Sequence, residues 1–437
     1  MFGYYLDLAL RSLRRSPGLT ALMVLSIGVG VAPAMTTWAL VHSLSHDPIP
    51  EKSARLFVPT VDMWGPAAHA KFGDGGEPPK LMDYGTAAAL LHDHRAKYQS
   101  ATYWIAPTVV PAARDAHPFN ASGFAVTGEF FPMLDVPFKY GNGWSNADDA
   151  ARAQVAVISS DLNDKIFGGS DSVGKTFAID GRNYRVVGVL GRWNAQFAYF
   201  DVPAYGGYMV QPIGVFLPFS TAVTAQLWPD GTTGCFKSPA QSGFAAYLRS
   251  SCAWISYMAE LDTPAAVQDY RAYLEGFARQ RFEWPPNVRL RDLMAWLDYL
   301  QVLPPGLRML PLVGAGLLIV CLVNMIGLML AKFLRRSGEI GVRRALGAPR
   351  RAIYAQFLTE GAVIGVAGGA AGLLLTWLGM LWLSFKFPES WSAMVPRIDG
   401  GLLLLTITVA IAATLLAALY PTWRAAHVRP AWQIKSN

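Results

Sequence analysis

Hydrophobic positions along the chain follow two regimes. In four stretches (residues 19–44, 309–333, 353–385 and 401–420) apolar side chains run on with almost no charge. A helix of about 20 residues crosses ~30 Å of hydrocarbon, and buried helices of soluble domains are seldom so long and charge-free. The pattern therefore predicts four transmembrane helices. A secretory leader is the alternative for the first, since arginines precede it and Ala32-Pro33-Ala34 could be a cleavage site. Its apolar run continues past Ala34 through Trp38, Leu40 and Val41, too far for a leader, so it reads as an anchor.

Between the first two stretches the pattern changes to strand-like alternation mixed with helical spacing. Residues 55–59, 101–110, 153–158 and 254–261 are rich in β-branched and aromatic side chains and predict strands. In KTFAID-GRNYRVVGVL the Asp180-Gly181 pair supplies two left-handed turn positions between alternating flanks, a hairpin signature. Thr263 and Pro264 open a helix that runs to about residue 280. Residues 45–308 thus form a large α+β domain of two lobes inserted between the first and second membrane helices. Residues 64–80, dense in glycine and proline, read as a loop.

Composition agrees with a membrane protein. Only 15% of the 437 residues are charged and 52% are apolar, against about 25% charged in soluble domains. The net charge of +7 is unevenly placed. Residues 1–18, the loop 334–352 with its flanks, and the tail 421–437 are strongly basic, whereas residues 45–308 are slightly acidic. Basic short segments stay in the cytoplasm. Both termini and the 334–352 loop are therefore expected inside, the 45–308 domain and the short 386–400 loop outside. The excess positive charge can also meet anionic lipid; it is not a nucleic-acid footprint.

Candidate chemistry is sparse. Cys235 and Cys252 lie in the outward domain with no competing cysteine, which suggests a disulfide, two free buried thiols being the alternative; Cys321 sits alone in the second span. Gly169 to Thr176 satisfies the phosphate-loop pattern GxxxxGK[ST], but a helix-like stretch precedes it and a strand follows, the reverse of what phosphate binding requires. His92 and His94 diverge on a helix and read as solvated surface rather than a metal pair. No metal site and no catalytic constellation is expected, so the chain reads as a non-enzyme.

The inward elements are more distinctive. In residues 1–18 Phe2, Leu6, Leu10 and Leu13 share a face while Asp7, Arg11, Arg14 and Arg15 point away, an amphipathic helix on the membrane surface. In the 334–352 loop, Ser337 can cap a short helix of about residues 338–346 that Gly347 stops and Pro349 follows. Its capped ends and the apolar Ile340, Val342, Ala345 and Leu346 suit a helix that docks into something. In the third span Gly361, Gly365 and Gly369 recur every fourth residue, as do Gly368 and Gly372, which allows close helix packing. Glu360 is expected to pair with a nearby arginine, and Asn324 to bond across helices.

EIGVRRALGAPRRAIYAQFLTEG, with the glycine-rich span opening that follows it, resembles the signature of MacB/FtsX-type permeases. So do LALRSLRRSPGLTALMVLSIGVG at the start and YPTWRAAHVRPAWQI at the end. In the outward domain VTGEFFPMLDVPFKYG, VAVISSDLNDKIFGGSDSVGKTFAIDGRNYRVVGVL and VFLPFSTA are similar to that family's periplasmic core domain. The resemblance omits only about residues 60–100 and 225–250. It implies an inner-membrane ABC-transporter permease without a fused ATPase, working as a homodimer or with a paralogous second permease. Separate cytoplasmic ATPase subunits, which bind the ATP and magnesium, would grip a coupling helix, whose position Glu339, Ile340, Arg343, Arg344, Leu346 and Gly347 occupy. Motion passed to the periplasmic domain would drive efflux of peptides, antibiotics or other envelope substrates, with a periplasmic adaptor and outer-membrane channel as further partners. Lipoprotein release and division-type signalling to periplasmic hydrolases are the alternatives.

Overall fold

The computed structural model describes residues 2–72, 75–111, 117–193, 198–205, 212–302, 305–336, 338, 342, 346–347, 349–386 and 400–426. The chain divides into two compact units, Asp47–Val302 and a second built from Met1–His46 with Leu303–Asn437.

The Asp47–Val302 unit is organised by one mixed sheet of twelve strands. These are β1 (Leu56–Val61), β2 (Tyr98–Ile105), β3 (Thr108–Val110), β4 (Phe119–Asn120), β5 (Ser122–Val126), β6 (Phe138–Gly141), β7 (Val155–Ile158), β8 (Thr176–Ile179), β9 (Arg182–Leu190), β10 (Ile213–Pro218), β11 (Ser256–Glu260) and β12 (Val288–Asp292). The order is β12-β1-β11-β2-β5-β10-β7-β9-β8-β3-β4, with β6 also on β9. Two pairs, β5–β10 and β7–β9, are parallel, because a crossover connection rather than a tight turn joins each. The β8–β9 hairpin turns at Asp180 and Gly181, with φ of 45° and 78°, the left-handed pair that its twist favours.

Side chains alternate across this sheet. On one face Tyr103, Ala125 and Leu217 join a core completed by Ala87 and Leu90 of helix Tyr84–Asp93 and by Tyr270, Leu274 and Ala278 of helix Pro264–Arg281. Tyr103 meets Trp254 edge-on, ring centroids 4.8 Å apart. On the other face Phe124 and Phe216 stack among Phe130 and Phe200, so the central strands are covered on both sides. The glycine- and proline-rich stretch is more ordered than a loop. It contains helix Pro66–Phe72, and the Asp62 carboxylate accepts the Gly65 N–H and contacts His69 at 2.7 Å.

The second unit is helical. An N-terminal helix, Phe2–Arg14, precedes a first long helix, Pro17–Ser45; the second, third and fourth are Leu310–Arg335, Arg350–Lys386 and Gly400–Ala426. All four long helices are long and apolar enough to cross a membrane. Met23, Ile27, Val31, Met325, Met329, Ile364 and Ala410 form their common core. Leu312, Val320, Leu374, Trp382, Leu404 and Leu416 are exposed, the surface expected where hydrocarbon is the solvent.

The N-terminal helix packs one side against the bundle. Ala9, Ser12 and Leu13 are buried, while Leu10 is 42% exposed. Small side chains at 9 and 12 allow close approach to the bundle, and Leu10 stays on the opposite side, available to lipid.

Candidate functional site

The strongest concentration of buried polarity in the helical unit lies where the second and third long helices bracket residues 337–349. Glu360, on the third helix, is 1% exposed. It forms an ion pair with Lys332, 4% exposed, on the second helix. The Ser12 hydroxyl donates to Glu360 Oε1 at 2.9 Å and accepts from Arg336 Nη1 at 2.5 Å. Four residues from three helices therefore form one chain of charge-assisted contacts, Arg336–Ser12–Glu360–Lys332. A carboxylate in an apolar bundle is retained only where such partners compensate it.

The expected arginine partner of Glu360 is thus replaced by Lys332, with Arg336 acting through Ser12. Lys332 is one helical turn before Arg336, on the same side of the second helix, whereas Arg335 lies to the side. The sequence signal was two opposite charges, Lys332 and Glu360, each inside an otherwise apolar run. Asn324 makes no hydrogen bond among the described residues and is exposed beside the first helix.

Next to these polar contacts, Phe333 packs with Ile353 and Phe357 in an apolar cluster, the Phe333 and Phe357 rings 6.2 Å apart. Both ends that flank 337–349 are thereby held to each other. Of the residues singled out there, Glu339, Ile340, Arg343 and Arg344 lie outside the described set. Leu346 is 82% exposed, and its N–H donates to Val342 O at 3.0 Å. Gly347 adopts φ of +92° with open space around it, the left-handed stop that favours glycine.

Glycines set the spacing of the helices above this point. Added Cβ atoms at Gly361 and Gly369 would come within 3.1 Å of Ala418 and Ala410, and one at Gly365 would strike Thr414. These three glycines face the fourth helix. Gly368 and Gly372 face the first, against Ile27 and Val31. Gly30 of the first helix lies against Cys321 of the second, a buried free thiol. The third helix is consequently packed between the first and fourth through small residues on two sides, a contact driven by close van der Waals approach.

In the Asp47–Val302 unit, Cys235 and Cys252 form a disulfide. Gly169–Thr176 follows helix Ser160–Phe167 and runs into β8, so no helix N-terminus points into that loop. His94 is the left-handed cap after helix Tyr84–Asp93, its Nε2 2.8 Å from Glu129 Oε1, and His92 is exposed. No group of three or more metal-binding side chains occurs among the described residues.

A MacB-like periplasmic core domain model matches residues 20–276, and an FtsX-like permease C-terminal model matches residues 311–430. The chain belongs to the MacB/FtsX-type permease family. It is 25% identical over 374 residues to the Macrolide export ATP-binding/permease protein MacB 1/2 of Paracoccus denitrificans, covering 84% of this chain and 50% of that protein. It is also 25% identical over 313 residues to an uncharacterized ABC transporter permease, YvrN, of Bacillus subtilis, covering 70% of this chain and 68% of that one. The chain thus spans about half the length of the Paracoccus relative. Among solved structures, the periplasmic region of MacB from Actinobacillus actinomycetemcomitans aligns over 58% of this chain and 95% of its own, with 12% identity and a TM-score of 0.36. As a MacB/FtsX-type permease, the chain has four membrane helices and a mixed α/β domain between the first and second.

Proposed function

We propose that this permease is the membrane subunit of an ABC transporter whose ATPase is a separate chain. In this reading the ATPase grips residues 338–347, with Glu339, Arg343 and Arg344 as polar contacts and Ile340 and Leu346 as apolar ones. ATP and magnesium belong to the ATPase, and this chain carries no catalytic step. The observation that carries the reading is the Arg336–Ser12–Glu360–Lys332 chain, which ties together the two helices that bracket this segment. A segment pushed by a partner moves its surroundings only if both of its anchoring helices move with it, and these contacts make that coupling stiff.

In this reading the termini and residues 334–352 lie on the cytoplasmic side, which their basic charge supports, and the Asp47–Val302 domain on the periplasmic side. Glycine-lined contacts let the third helix slide or rock between its neighbours, and the domain that follows the first helix converts this motion into work on a client. Two permease copies, or this chain with a paralogue, would assemble with two ATPase subunits. Export of envelope substrates, with an adaptor and outer-membrane channel, is the reading we favour; the Paracoccus relative is named for macrolide export.

The test is capture of tagged full-length protein with its ATPase, followed by ATP turnover in nanodiscs. Gly347→Pro and Glu339→Lys are expected to abolish the stimulation of turnover by the permease while leaving its expression intact. Unchanged turnover in both variants would falsify the coupling assignment.

A further inference from the structure

Residues of about 60–100 and 225–250, which the motif resemblance omits but the periplasmic core domain model covers, come together in space. The Trp64 indole N–H donates to Ser251 O at 2.6 Å, and Phe72 meets Phe236 with ring centroids 6.2 Å apart. Lys71 Nζ lies 5.6 Å from the Phe236 ring. Met82 is bridged to Ile255, and the Cys235–Cys252 disulfide closes the second segment on itself. This part of the domain is therefore a built structure held by aromatic contacts, a backbone bridge and a covalent bond.

Between these segments and the end of helix Pro264–Arg281 lies a groove of about 940 Å³. Tyr84, Leu248 and Phe282 give it apolar surface, and Arg249 and Arg281 supply positive charge. Neither arginine has a carboxylate within ion-pair distance among the described residues. The Arg281 guanidinium lies against the start of helix Tyr84–Asp93, where a Cβ on Gly85 would come within 2.8 Å of Nη2. Asp83, the one acidic lining residue, is 8% exposed and is engaged as the helix cap, its Oδ1 accepting the Thr86 N–H at 2.6 Å. A smaller hollow of about 270 Å³ shares Arg249 and adds Lys237. The Arg281 guanidinium also faces the Asp83 carboxylate, so the open positive charge is that of Arg249, with Lys237 in the adjoining hollow.

We propose that this groove binds an acidic polypeptide segment of a partner protein, one in which a carboxylate side chain lies next to an apolar one. Guanidinium groups recognise carboxylates through paired hydrogen bonds, and the aromatic and aliphatic floor takes the neighbouring side chain. The volume is at the upper end of what small-molecule sites enclose.

The experiment measures binding of a fluorescein-labelled twelve-residue peptide of alternating glutamate and leucine to full-length protein in nanodiscs, by anisotropy. The same peptide with glutamine for glutamate is the comparison. Micromolar binding of the acidic peptide is expected, at least about tenfold tighter than the glutamine peptide and weakening as salt is raised. Arg249→Glu and Arg281→Glu should each weaken it by about tenfold or more. Arg271→Glu, the same charge change on an exposed position of helix Pro264–Arg281, should not. If Arg281→Glu unfolds the domain, Arg249→Glu, exposed just after a five-residue helix, carries the test alone. Equal binding of the two peptides, affinity unchanged in the arginine variants, or equal loss in Arg271→Glu overturns the proposal. No arm of the assay needs an ATPase, so its outcome is separate from that of the coupling reading.

Discussion

Ser12 and Glu360, 348 positions apart in sequence, share a buried hydrogen bond of 2.9 Å. It joins the N-terminal helix to the third membrane helix, and through Arg336 the same hydroxyl reaches the end of the second. A short amphipathic helix that could have been a simple surface anchor is instead part of the bundle's polar wiring.

Removing one charge from this wiring should be costly. Glu360→Ala leaves Lys332 buried without its counter-ion, a change that typically costs about 3–5 kcal/mol. Glu360→Leu with Lys332→Met removes both charges and should recover most of the loss. Thermal unfolding in detergent checks this; a double variant no more stable than Glu360→Ala would mean that the pair is not coupled.

The glycines of the third helix should differ sharply in tolerance. Gly365→Ala drives a methyl group into Thr414, and overpacking of this kind costs about 1–3 kcal/mol. Gly379→Ala has nothing within 4 Å and should be neutral or slightly stabilising. Equal melting temperatures for the two variants would contradict the packing described.

Asp149 makes the domain sensitive to pH. Burial is the main cause that lifts its carboxyl from 3.8 to about 6, against the N–H donors of Gly128 and Trp144. The folded state then holds a proton that the unfolded chain has lost. That contribution to stability is full below about 3.8, and it disappears as pH rises through about 6. Asp149→Asn should flatten the dependence of unfolding temperature on pH between these limits. Trp144 emission, which senses the Asp149 carboxylate at 3.1 Å, is a convenient readout.

Reduction of the Cys235–Cys252 disulfide, which spans 17 positions, should lower stability by about 2–4 kcal/mol. Thiol titration of denatured protein before and after reduction should differ by two groups.

Sidedness can be tested directly. Single cysteines at Leu346 and Asp180 should react with a membrane-impermeant maleimide from opposite faces of sealed vesicles. Labelling of both from the same face would remove the basis for an ATPase-driven lever.

Much of this architecture was legible in the sequence because it rests on local rules. Uninterrupted apolar length marks the four long helices, and Asp180-Gly181 and Thr263-Pro264 mark their turn and helix start by dihedral preference alone. The rest depends on contacts between distant segments. Nothing local says that β5 pairs with β10 in parallel, or that Lys332 rather than an arginine meets Glu360. Which side of the N-terminal helix packs on the bundle depends on such contacts too. Hydrophobicity favours Leu10, but close packing selects the small Ala9 and Ser12. The glycine- and proline-rich stretch hid helix Pro66–Phe72 because Asp62, outside that helix, fixes its approach.

Because Ser12 is both donor and acceptor, the helix that carries it is part of the bundle. Truncating that helix, or prising it off with a bulky fusion, would remove the Ser12 bridge between Glu360 and Arg336 and leave Glu360 with Lys332. Epitope tags for this permease belong elsewhere on the chain.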